Sequence, residues 1–163
     1  MALRKIVNYL NDDVLRKKSK TVETINDKTL LLFRDMAESM YAARGAGLAA
    51  VQVGILRRMV VIDAGTGLIK LINPIIVEAT GEQQEIEGCL SIPGIYGIVK
   101  RPERVVVHAL DELGSTVEME GNGFLARAIC HEIDHLDGIL YIDRAIPGSM
   151  ISQKDLEKMV AGK

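Results

Sequence analysis

"CHEIDH", residues 130–135, decides how the rest of this chain must be arranged. His131-Glu132-Ile133-Asp134-His135 fits the H-E-x-x-H pattern, in which two histidines one helical turn apart can hold a metal ion. Histidines at i and i+4 share a helix face about 6 Å apart along the axis, so both rings can converge on one point. Glu132 points about 100° away from His131, close enough to meet a water on such an ion rather than to ligate it. The surrounding "FLARAICHEIDHLDG" (124–138) reads as a helix closed by Gly138, apolar in its N-terminal half, and uses two of the chain's three histidines. The plain alternative is a helix carrying two unremarkable histidines. The apolar context favours metal.

Outward from that helix, the chain of 163 residues is the length of one domain, 1–163, burying roughly two-thirds of its unfolded surface. With 48% hydrophobic residues, 4% aromatics and no Trp, the core must be built mainly of Val, Ile, Leu and Met. A formal net charge of -2 gives no global field for nucleic acid, so no sequence-specific nucleic-acid binding is expected. The basic "LRKKSK" (15–20) reads as a solvated helix face. "MALRKIVNYL" lacks a secretory apolar core and no apolar run is long enough to span a bilayer, so the expected compartment is the cytoplasm, with no membrane partner. Reducing conditions there disfavour a disulfide between Cys89 and Cys130.

Asn11-Asp12-Asp13 can cap a short helix running to about Ser19, and a longer helix starts near Asn26. Its apolar stripe is Leu30, Phe33, Met36, Ala37, Met40 and Tyr41, with Gly45 as the stop. Strand-like runs follow: "RRMVVIDA", "LIKLINPIIVEA", "RPERVVVHAL" and "STVEME", the last two flanking Gly114 as a hairpin. Another short helix is expected over residues 152–160. Without regular βαβ alternation the fold class is α+β, antiparallel sheets packed around the central metal-binding helix.

Two histidines need a third ligand. A histidine six residues after the second is excluded, because that position is Tyr141. Glu157 on a later helix can serve, as in small zinc endopeptidases. Cys130 adjoins His131, but neighbours in sequence do not face one point on a helix, and a small core residue is the simpler reading. His108 follows three valines and reads as a structural strand histidine. Cys89, in "EIEGCLSIPG", can present a thiolate from a strand edge, completing a Cys-His-His set with an open position, the composition of a catalytic site. The residues by themselves point to a metal-activated hydrolase.

Three stretches together go further. "GAGLAAVQ" (45–52), "EGCLS" (87–91) and "HEIDH" (131–135) resemble, in order and separation, the signature motifs G-x-G-x-A-A-x-Q, E-G-C-x-S and H-E-x-D-H of the peptide deformylase family. Two positions depart from that pattern: Cys130 stands where the family usually has glutamine, and Ala46 where a larger aliphatic is common. Both bear on pocket lining and helix packing rather than metal chemistry.

The resemblance implies that Cys89, His131 and His135 hold one divalent ion, Fe²⁺ in the cell, with Zn²⁺, Ni²⁺ or Co²⁺ able to substitute. It implies that Glu132 serves as base and then acid while the formyl group of an N-formylmethionyl nascent peptide, met at the ribosome, is hydrolysed to formate. The Gln52 amide and the Leu90 backbone N–H would hold the developing oxyanion. An extended peptide would pair along Gly45-Ala46-Gly47, bordered by Glu87 and Gly88. Phe124, Arg127 and Ala128, which share the His131 face, would line the methionine pocket, Arg127 through its aliphatic stem. Asp134 is expected to pair with Arg101 in support of the helix. A dinucleotide site at Gly45–Ala50 with Asp63 is the rival reading of the glycines, refused because no strand precedes them.

Overall fold

The computed structural model describes residues 3–162. Its first regular helix, α1 (Asp27–Ala42), starts where Asn26 accepts a hydrogen bond from the Thr29 N–H while Thr29 reaches back to the Asn26 N–H. This reciprocal cap satisfies donors that the first turn would otherwise leave open. The short turn before it is only a 3₁₀ segment, Asp13–Arg16, capped by Asp12. After α1 come β1 (Gly47–Ala49), β2 (Met59–Ile62), β3 (Ile69–Thr80), β4 (Gln83–Cys89), β5 (Ile92–Arg101), β6 (Arg104–Leu110) and β7 (Thr116–Asn122). The chain then forms α2 (Phe124–Leu136), α3 (Tyr141–Arg144), β8 (Ile151–Ser152) and α4 (Gln153–Ala161). The fold is α+β, as the mixture of periodicities predicts.

One sheet runs β1-β2-β3-β6-β7, the other β4-β5-β8, and the pairing between their strands is antiparallel. β2 explains how the layers stack. All four of its residues are buried. Alternation sends Met59 and Val61 into the cluster with Phe33, Met36 and Met40 of α1, and Val60 and Ile62 into the cluster with Ile129 and Leu136 of α2. Each such aliphatic side chain contributes about 1.5–3 kcal/mol on full burial. α2 is therefore enclosed, packing on β1, β2, β5 and β7. Its terminus is fixed by Gly138, at φ +75°, where a Cβ would come 2.5 Å from the Arg16 carbonyl oxygen.

Some expectations shift. On α1 the buried stripe includes Leu32, while Leu30 and Tyr41 are exposed, so the helix is rotated relative to the sequence reading. The left-handed residue after α1 is Arg44 (φ 59°), not Gly45. "RPERVVVHAL" is broken at Pro102: Arg101 ends β5 and Arg104 opens β6. The β6–β7 hairpin turns through Gly114 at φ +81° as expected. The C-terminal helix is present, with Ser152 as its cap. The β4–β5 hairpin, which the apolar pattern does not announce, carries half of the site.

Candidate active site

β4 ends at Cys89, and the tight turn to β5 holds that residue opposite Ile92. This turn delivers the Cys89 Sγ to 3.3 Å from the His135 Nε2. On α2 the His131 and His135 rings lie 5.0 Å apart, centre to centre. The prospective ligand atoms of Cys89, His131 and His135 all fall within 4.8 Å of one another, and no other such trio of His, Cys, Asp or Glu forms among the described residues. One thiol and two imidazoles suit a divalent transition metal, and three ligands leave a position open.

The orientation of His131 supports the same reading. Its Nδ1 lies 2.7 Å from the Glu87 Oε1, leaving Nε2 for the trio. Such a carboxylate partner is the usual support of a ligating histidine. Glu87 also accepts from Arg101 (Nε at 3.0 Å, Nη2 at 2.7 Å) and from the Arg127 Nη1. Burial pushes its carboxyl up, but hydrogen bonds from His131 and Arg101 outweigh this and hold it at about 2. Arg101 continues to Asp134 at 2.7 Å, the pair expected from sequence, and Arg144 joins Asp134 from the outer side. Arg127 also donates from Nε to the Gln83 Oε1 and from Nη2 to the Val99 carbonyl, which holds its guanidinium among β4, β5 and α2.

Glu132 differs from every other acid here. It is 4% exposed, and its Oε1 has no hydrogen-bond partner among the described residues. Burial pushes its carboxyl up to about 7, and a bound cation would pull it down again. Its other oxygen packs against Gly47, where a Cβ would stand 2.5 Å from Oε2. At Gly45 a Cβ would meet the Leu90 Cδ1 at 2.6 Å. The two glycines let one backbone edge close on both Glu132 and the Cys89–Ser91 turn. Gln52 lies between these: its Oε1 accepts from the Ala49 N–H at 2.9 Å, and its Nε2 reaches the Ser91 Oγ at 3.1 Å and the Cys89 Sγ at 3.5 Å.

These groups border a cavity of about 440 Å³. Of the ligand, catalytic and substrate-binding residues that the family resemblance implies, all except His135 line it, including Gly45, Ala46, Gly88, Leu90, Phe124 and Ala128. Sequence reading misses the opposite wall, Ile86 with Pro93, Ile95 and Tyr96 of β5. Tyr96 covers Gly88 so closely that a Cβ there would lie 2.6 Å from its ring. The Pro-Gly-Ile-Tyr-Gly run breaks any alternation, so its only signal is proximity to "EGCLS". Tyr141 also escapes notice: its ring stacks on His131 at 6.1 Å and its hydroxyl donates to the Ile95 carbonyl at 2.8 Å.

Three rival assignments fall away. Glu157 is exposed on α4, accepts from Gln153, and is not part of the trio. Cys130 is buried in the core and, like Cys89, unpaired; burial pushes its thiol up to about 11. Asp63 accepts from the Tyr41 hydroxyl at 2.6 Å, and helix α1, not a strand, precedes the glycines, so the dinucleotide reading has no frame.

A profile of the polypeptide deformylase family matches residues 3–150, nearly the whole of this architecture. The chain belongs to the peptide deformylase family. The peptide deformylase of Acetivibrio thermocellus is 58% identical over 158 residues, covering 97% of this chain and 91% of that one. That of Caldicellulosiruptor bescii is 51% identical over 158 residues, with 97% and 93% covered. The crystal structure of the Thermotoga maritima deformylase superposes with a TM-score of 0.88 at 40% identity, covering 90% of this chain and all of that one. The Synechococcus elongatus deformylase in complex with actinonin gives 0.84 at 42% identity, covering 100% and 88%. Deformylases are metal-dependent hydrolases that remove N-formyl groups from nascent peptides, and in this one the Cys-His-His trio is the grouping able to hold the ion.

Proposed function

We propose that Cys89, His131 and His135 hold one divalent ion and that Glu132 carries the proton as the chain hydrolyses the formyl group of an N-terminal formylmethionine, releasing formate. The observation that carries this reading is the Glu132 Oε1, buried and without a hydrogen-bond partner among the described residues, on a side chain that lines the same cavity as Cys89 and His131. When bound, the ion supplies Lewis acidity toward water and the formyl carbonyl. Glu132 removes a proton from the attacking water and returns it to the departing amine, so one carboxyl acts as base and then acid. The Gln52 Nε2 and the Leu90 N–H donate to the oxyanion as it develops.

The peptide would run between two strand edges. Among the described residues β1 pairs only with β2, and β4 only with β5, and both strands border the cavity with one edge open. An added extended chain can hydrogen-bond along Gly45–Gly47 and Ile86–Gly88, with its methionine side chain among Ile86, Phe124 and Ala128. Glu87 and Arg127 border this path but act chiefly by holding His131 and β4 in place.

We read Fe²⁺ as the cellular ion because the family resemblance implies it; the mixed sulfur and nitrogen set also accepts Zn²⁺, Ni²⁺ and Co²⁺, and availability decides among them. Nascent chains at the ribosome are the expected substrates, one catalytic domain spans 1–163, and the cytoplasm is the expected compartment. Among the described residues no helix is long and apolar enough to cross a membrane. The test is formate release from a formyl-Met peptide by anaerobically purified protein of known metal content. Stoichiometric metal without turnover would turn the reading toward a metal-stabilised binding module.

A further inference from the structure

Ser91 closes the "EGCLS" motif, yet neither the ligand set nor the oxyanion donors use it. It is fully buried, at 0% exposure. Its Oγ accepts from the Gln52 Nε2 at 3.1 Å. The far side of the same amide is also held, because the Gln52 Oε1 accepts from the Ala49 N–H. A flip of that amide would set its NH₂ against the Ala49 N–H, two donors face to face. The amide therefore has one orientation, with its nitrogen toward Ser91 and Cys89.

The backbone repeats the arrangement from behind. The Val7 N–H donates to the Gln52 carbonyl at 2.8 Å, and the Tyr9 N–H donates to the Ser91 carbonyl at 3.0 Å. Upstream, Arg4 is tied to α1 through its N–H to the Ser39 Oγ and its Nε to Asp35. Gln52 and Ser91, 39 residues apart in sequence, are thus joined by their side chains and also by one N-terminal segment.

We infer that Ser91 is a positioning residue for the deformylase reaction, its hydroxyl holding the Gln52 amide in the orientation that donates to the oxyanion, with residues 7 and 9 locking the pair. This rests on the oxyanion role proposed for Gln52. One amide proton is committed to Ser91, which leaves the other for the Cys89 side of the cavity, where the reacting oxygen develops. Without the hydroxyl, the amide is free to swing toward the Cys89 sulfur, its other neighbour, and catalytic alignment is lost while the metal trio and the peptide edges stay in place.

The test is a double-mutant cycle with Ser91→Ala and Gln52→Leu, reading kcat, KM, metal content and melting temperature on a formyl-Met peptide. Ser91→Ala should lower kcat about three- to tenfold, the scale of one hydrogen bond, with KM and metal content nearly unchanged. In the Gln52→Leu background the same substitution should lower kcat no further, because its effect passes through the amide. Ser91→Cys, whose sulfur is a weak acceptor, should fall between. An equal loss in both backgrounds, or a lower melting temperature with full kcat, overturns the inference alone. Full kcat in Gln52→Leu overturns the oxyanion reading and the inference with it. Should Ser91→Ala not fold, Ser91→Cys and the native enzyme carry the test: in zinc-loaded protein the Gln52 amide protons should exchange slowly with solvent, and rapid exchange contradicts the hydrogen bond.

Discussion

The Glu87 carboxylate touches His131, with Oε1 2.7 Å from Nδ1, while the same carboxylate is gripped by Arg101 and Arg127. The histidine ring is thereby aimed by a group that is itself immobilised, and all four side chains are buried. The arrangement makes orientation of the ligand a property of the β4–α2 junction rather than of the helix alone.

Glu87→Gln tests that coupling. Glutamine keeps the volume and an acceptor but removes the charge that balances two buried arginines. Metal affinity should fall roughly 10–100-fold, as for other partners of ligating histidines. Competition with a chelator measures it. Unchanged affinity would reduce Glu87 to an ion-pair partner of Arg101.

Gly47→Ala tests the closeness of the glycine edge to the proton carrier. The added methyl would approach the Glu132 Oε2 to 2.5 Å, so the carboxylate must move. Displacement on the order of 1 Å costs about 10²-fold in a positioned reaction. The expected result is strongly reduced kcat with metal retained, and near-normal kcat would show that Glu132 has room the packing does not suggest.

The contrast between these sites explains what was legible in the sequence. His131, Glu132 and His135 follow from helical spacing alone, β2 and β6 follow from runs of Val and Ile, and β7 follows from the alternation in "STVEME". The β4–β5 hairpin does not: β4 begins Gln-Gln-Glu and lies at the edge of its sheet, and β5 contains Pro93, Gly94 and Gly97. Neither strand shows clean alternation, because one edge and one face are turned to a cavity instead of to core or solvent. Cys89 was therefore a candidate ligand by elimination and motif resemblance, while Tyr96 and Tyr141 carried no local signal at all. Leu30 and Tyr41 mislead for a different reason. Apolar residues adjoin the stripe of α1 on both sides, and only the sheet decides which of them it covers.

Cys89→Ala and Glu157→Ala separate the two ligand sets that sequence left open. Loss of Cys89 should remove the ion and activity together and lower the melting temperature of the metal-loaded protein, since ligand binding to the native state stabilises by mass action. Glu157→Ala, on an exposed helix, should leave metal content and turnover unchanged. Metal loss in Glu157→Ala would restore the endopeptidase-like set.

Tyr141→Phe keeps the ring against His131 and removes only the donor to the Ile95 carbonyl. Metal content should hold, whereas KM should rise severalfold because the β5 wall loses a hydrogen bond worth about 1 kcal/mol. Steady-state kinetics and metal analysis check both; an unchanged KM would mean that the β8 pairing alone secures the wall.

Glu132→Gln, assayed for bound metal and formate in the same preparation, tests the central claim most directly. The amide keeps the shape of the buried side chain but cannot take a proton from water. The account predicts full metal occupancy with turnover reduced by at least about 10²-fold, the scale of general acid–base catalysis. Near-normal formate release at full occupancy would contradict it.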